Sequence, residues 1–161
     1  LTPEEPQNLV VVGETNPYGM GARYALYDKP DNASGAKLRR IFGLRRTTYF
    51  RLHKVNLCTG KWSLRRARER AAELLAEYPD ADFILLGRKV TIAFGLEGVR
   101  PFSLFSTPIR AYVALPHPSG LCRTWNEPDA VQRARKLLRA LRCTVPWGEL
   151  EEQDEQPAPG T

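Results

Sequence analysis

Asn8-Leu9-Val10-Val11-Val12 is a short, unbroken apolar run, and such a run next to turn residues predicts a strand buried on both faces of a parallel sheet. It leads directly into Gly13-Glu14-Thr15-Asn16-Pro17-Tyr18-Gly19-Met20-Gly21. Open α/β sheets build their sites just beyond the carboxyl ends of their strands, so this polar loop is the first place to look for chemistry. Working outward, Tyr49 to Leu57 reads as a second strand ending at Asn56 and the Cys58-Thr59-Gly60 turn. Phe83 to Leu86 reads as a third, and Arg110 to Leu115 as a fourth, on their β-branched and aromatic content. Helical spacing of apolar residues marks the segments between and after them. These are Gly35 to Phe42, Leu64 to Tyr78 with Ser63 as N-cap, a short helix after Gly87, and Asp129 to Leu141. Strands alternating with helices predict an α/β fold: a three-layer sandwich with a mainly parallel four-stranded sheet flanked by helices.

The chain has 161 residues, of which 42% are hydrophobic, enough for one domain with a core over residues 1–150. Residues 151–161, acidic and containing Pro and Gly, read as a disordered tail. The formal charge of +6 is carried mainly by arginine, in Arg39-Arg40, Arg45-Arg46, Arg65-Arg66 and the series Arg133, Arg135, Arg139, Arg142. Arginine is the fork-shaped phosphate binder, which points to a polyanion as partner; any single pair reads equally as a solvated helix face. Cys58, Cys122 and Cys143 lack the close spacing of zinc or iron–sulfur sites and are expected to be reduced thiols. No run reaches transmembrane length, and the first residues, with Glu4 and Glu5, do not look like a signal peptide. A cytoplasmic protein is the expectation.

The fourth predicted strand runs into Leu115-Pro116-His117-Pro118-Ser119-Gly120-Leu121. Each proline lacks an amide donor and forces the preceding residue to be extended, so His117 is held in a stiff loop. Polar loops thus follow the first, second and fourth strands, and a parallel sheet brings such ends to one edge. In this arrangement the chain resembles the uracil-DNA glycosylase superfamily. The likeness rests on Glu14-Thr15-Asn16-Pro17-Tyr18 as first motif and His117-Pro118-Ser119 as second, with Gly35 and Leu38, Asn56 and Leu85-Leu86-Gly87 in order between them. It spans roughly residues 9–141.

The resemblance implies a DNA glycosylase that flips a pyrimidine nucleotide into a pocket and hydrolyses its N-glycosidic bond, leaving an abasic site. It assigns His117 as the donor to the base O2, where negative charge develops, and Ser119 as a holder of a flanking phosphate. Water is oriented by Asn16 or Glu14. Asn16 stands at the Asp or Asn position when aligned on Pro17, whereas Glu14 can accept a proton as an amide cannot. Asn56 matches the base-reading asparagine, whose amide suits uracil or, flipped, cytosine. Tyr18 matches the residue that excludes a 5-methyl group, and Tyr24 or Tyr27 is placed to lie under the base, although either reads equally as core. Gly120, Leu121 and Arg123 occupy the region that enters the duplex, while Trp125 reads as a packing residue. No cofactor is expected, and the partner is DNA, bound by a monomer. The base is uracil or a modified pyrimidine, including a hypermodified base of viral DNA, which would make the protein an antiviral defence enzyme. Two competing classes are a non-catalytic DNA-binding relative and a small-molecule hydrolase on the same scaffold.

Overall fold

The computed structural model describes residues 8–16, 21–119 and 122–154. The elements in chain order are β1 (Leu9–Asn16), α1 (Ser34–Phe42), α2 (Arg46–Arg51), β2 (His53–Thr59), α3 (Leu64–Glu77) and β3 (Asp82–Leu86). They are followed by α4 (Arg88–Ala93), β4 (Ser103–Ser106), β5 (Ala111–Leu115), α5 (Ala130–Leu138) and α6 (Glu149–Asp154). The class is α/β, with a sheet of five strands in the order β2-β1-β3-β5-β4. β2, β1, β3 and β5 are parallel, and β4 joins β5 antiparallel. The fifth strand is absent from the sequence reading because Ser103–Ser106 is short, largely exposed and set between Pro101 and Pro108, features of a loop as much as of an edge strand.

The unbroken apolar runs are explained by helices on both sides of the sheet. Leu9 and Val11 of β1 and Ile84 and Leu86 of β3 face one core, shared with Leu38 and Phe42 of α1 and Ala134 and Leu138 of α5. Val10, Val12, Phe83 and Leu85 face the other, with Ala67 and Leu74 of α3 and Val90 of α4. Side chains alternate along a strand, so a strand covered on both faces has no polar position to spare. The predicted N-cap holds, with Ser63 Oγ accepting from the Arg66 amide.

Three boundaries differ from the sequence reading. β1 does not stop at Val12, because Gly13, Thr15 and Asn16 continue in register with Asn56, Cys58 and Thr59 of β2. Glu14 and Asn16 are therefore on a strand and not in a loop. The segment read as strand from Tyr49 begins as helix α2, since Tyr49 is buried with its hydroxyl donating to Leu26 O, and Lys54 Nζ donates to the Tyr49 and Leu52 carbonyls. These tertiary contacts override the β propensity of Thr47-Thr48-Tyr49-Phe50. The expected tail starting at residue 151 is also corrected: Glu151 lies in α6 and pairs with the buried Arg135 at 2.9 Å. Residues 155–161 lie outside the described residues.

Much of the arginine that suggested a polyanion partner is internal wiring. Arg135 also donates to the Ile41 and Arg40 carbonyls at the end of α1. Arg142 holds the buried Asp82, and Arg39 and Arg46 flank the buried Asp28. The hydrogen bond from Arg46 outweighs burial and holds the Asp28 carboxyl below the usual carboxylate range. No helix among the described residues is long and apolar enough to cross a membrane.

Candidate functional site

The carboxyl ends of β1, β2, β3 and β5 come together at one edge of the sheet, as parallel pairing requires. Glu14 and Asn16 come from β1, Asn56 from β2, Gly87 from the end of β3 and His117 from the loop after β5. Gly87 ties the edge together, its amide donating to Leu115 O at 2.8 Å. It has φ +98°, and a Cβ there would lie 3.1 Å from Glu14 Oε2 and 3.3 Å from His117 Cβ. A side chain at this position would be strained and would push into the space between the two.

Glu14 Oε1 lies 4.0 Å from His117 Nε2. That is too far for a hydrogen bond, and no hydrogen bond to the Glu14 carboxylate is made among the described residues. His117 is oriented from behind. Its Nδ1 accepts from the Ser119 amide at 3.0 Å, which leaves Nε2 as the protonated nitrogen of the neutral ring, aimed toward Glu14. Burial lowers the His117 pKa below its ordinary value, with the Glu14 carboxylate opposing and Lys89 reinforcing the shift. The ring is therefore neutral at pH 7 and a donor through Nε2.

The loop that carries His117 is clamped. The buried Trp125 donates its indole N–H to His117 O at 3.1 Å and to Pro116 O at 3.3 Å. Lys37 Nζ of α1 donates to Ser119 O at 3.3 Å. Trp125 was read as packing and does pack, on Phe102; its positioning bond follows from the need of a buried indole N–H for an acceptor.

Asn56 Nδ2 donates to Asn16 Oδ1 at 2.6 Å, so the two candidate amides form one unit. Asn16 is buried, and its carbonyl oxygen is already engaged. A methyl group on Gly13 would collide with Asn56 Oδ1, so the glycine makes the space in which this amide sits. Glu14, Asn16, Asn56 and His117 line one cavity of about 450 Å³ together with Tyr24, Tyr27 and Lys29, within the ~300–1,000 Å³ typical of small-ligand sites. Tyr24 and Tyr27 meet edge to face at 5.3 Å, and Gly35 lets the Leu26–Tyr27 backbone pass directly against α1. A second cavity of about 430 Å³ opens on Glu14, Gly87 and His117 from the direction of α4 and α5.

Of the residues singled out in the sequence, Glu14, Asn16, Asn56, His117, Tyr24 and Tyr27 are thus brought together. Ser119 supports the histidine through its backbone. Arg123 is exposed and lines neither cavity. Tyr18, Gly120 and Leu121 lie outside the described residues. Lys29, Lys37 and the second cavity were not singled out, because nothing local marks a lone lysine as facing a site. The sequence matches no protein-family model and no curated protein.

Proposed function

We propose that this protein is a DNA glycosylase of the uracil-DNA glycosylase type, acting on a flipped pyrimidine nucleotide. The observation that carries the reading is the Glu14 carboxylate facing a neutral, backbone-oriented His117 across 4.0 Å, with the Asn16–Asn56 amide pair in the same cavity. This arrangement suits cleavage of a bond whose leaving group gains negative charge while the carbon left behind gains positive charge. The base enters the cavity beside Asn56 and the tyrosine pair. His117 Nε2–H donates to the base O2, which takes up charge as the C1′–N1 bond breaks with its electron pair leaving on the base. Water adds to C1′ and gives its proton to Glu14, and the departing base is protonated afterwards.

Between the two candidates for activating water, the geometry supports Glu14. Asn16 Oδ1 is engaged by Asn56, and an amide is in any case a poor proton acceptor. Asn56 keeps one N–H and Oδ1 for a base, which suits uracil or a cytosine derivative. The substrate is accordingly uracil or a modified pyrimidine, with a repair or antiviral role following from which base it is. In this reading a monomer works on DNA in the cytoplasm, and the reaction is a hydrolysis carried by water and these side chains.

The test is base release from oligonucleotides containing uracil, hydroxymethyluracil, hydroxymethylcytosine or glucosylated hydroxymethylcytosine, scored as alkali-labile abasic sites beside a His117→Ala control. Release that the control lacks supports the enzyme and names its base. DNA binding without release from any of the four would replace it with a DNA-binding module.

A further inference from the structure

The second cavity shares Glu14, Gly87 and His117 with the first but is otherwise built of different chemistry. Arg88 and Lys89 reach it from α4, and Phe102, Thr124 and Arg133 close its far side. All three cations are exposed. The Arg133 guanidinium carbon lies 4.3 Å from the centre of the Phe102 ring, a cation–π contact that seats the guanidinium beside the cavity. Its ion pair with Glu127 is loose, with Arg133 Nη1 and Glu127 Oε2 3.9 Å apart and both side chains about half exposed.

Phe102 itself is held in an uncommon backbone conformation, φ +59°, which a bulky side chain adopts only where its surroundings impose it. The constraint is visible. The Phe102 amide donates to Ala114 O at 2.7 Å, and its ring packs edge-on against Trp125 at 5.4 Å. The ring is thereby a fixed shelf for Arg133, attached to the same tryptophan that clamps the His117 loop.

We infer that this cavity is a phosphodiester subsite, which takes a backbone phosphate of the nucleic-acid strand flanking the nucleotide in the first cavity, with Arg133 and Lys89 as its ligands. The inference rests on the glycosylase reading, since it supplies the strand that the first cavity's nucleotide belongs to. Glu127 acts against it. A carboxylate beside Arg133 competes with the phosphate, so its neutralisation has the opposite sign from loss of the arginine.

The experiment measures affinity for a fluorescein-labelled duplex containing 2′-fluoro-2′-deoxyuridine, a nucleotide that resists cleavage, as a function of salt. Arg133→Gln is expected to weaken binding several-fold and to lower the slope of log K against log salt by about 1. Glu127→Gln is expected to tighten binding. A single methylphosphonate placed in turn at each flanking position should reproduce the Arg133→Gln loss at one position only, and should add nothing to that variant there. Wild-type levels and salt slopes in both variants, with salt-dependent binding by the wild type, overturn the subsite and leave the glycosylase reading standing. Absence of DNA binding by the wild type overturns both.

Discussion

The two edges of the sheet use the same kinds of side chain in opposite ways. At the amino-terminal edge three buried charges find their partners inside the chain. Asp82 accepts from the Ala111 amide and from Arg142, Arg110 donates to the Tyr78 and Pro79 carbonyls at the end of α3, and Arg135 joins α1, α5 and α6. At the carboxyl-terminal edge, Glu14 and His117 stand 4.0 Å apart and are not bonded to each other, with His117 held from behind by the Ser119 amide. Paired charges of the first kind fix the fold, because removing one partner strands the other in low dielectric. In the proposed reading, groups of the second kind meet a substrate instead of each other.

Substitutions at the two edges should therefore separate activity from stability. The largest effect is expected at His117: His117→Ala should lower base release by roughly 10²–10⁴-fold, the range for loss of a positioned donor or acid–base group, with a melting temperature close to wild type. Arg135→Leu should do the reverse. It leaves two helix-end carbonyls without their donor, so chemical denaturation should show a loss on the order of 2 kcal/mol, while base release per folded molecule is unchanged. Equal stability losses at both sites would erase the distinction.

Gly87 sharpens the comparison because it belongs to the fold and the site together. Gly87→Ala forces a side chain into a φ of +98° and against Glu14 and His117, and should cost about 1 kcal/mol in stability and roughly tenfold in base release. The pH profile probes the same pair. Burial holds His117 below its ordinary pKa of 6.5, so base release should be insensitive to His117 down to that pH. It should fall below it, as the imidazolium forms and pairs with Glu14. The sign for stability agrees: the unfolded chain takes up this proton more readily than the folded one, so acidification below pH 6.5 costs stability. Because His53 is also depressed, chiefly by burial, the stability loss should shrink in His117→Gln without vanishing.

The sequence reading reached the parallel strands because Val10–Val12 and Phe83–Leu86 are apolar on both faces, a pattern few other contexts produce. It reached His117 because two prolines isolate it. The carboxylate and amide candidates were found as a set, but their division of labour was not, since Asn16 and Asn56 are 40 positions apart and only the register of β1 on β2 makes them one hydrogen-bonded pair. α2 and α6 were missed for the same physical reason. Their stability comes from Leu26, Lys54 and Arg135, distant partners that no local propensity reports. The arginines divide into two groups that no local pattern separates, because a sequence does not reveal which guanidinium faces solvent and which faces a helix end.

The assignment of Glu14 as the group that takes the proton from water is the claim most directly exposed to experiment. Single-turnover base release, on whichever oligonucleotide the wild type cleaves, would be compared for Glu14→Gln and Asn16→Ala. The account predicts that Glu14→Gln is the more damaging by at least tenfold, with its melting temperature preserved. A fully active Glu14→Gln enzyme beside an inactive, folded Asn16→Ala enzyme would contradict it and move the reacting water to the amide pair.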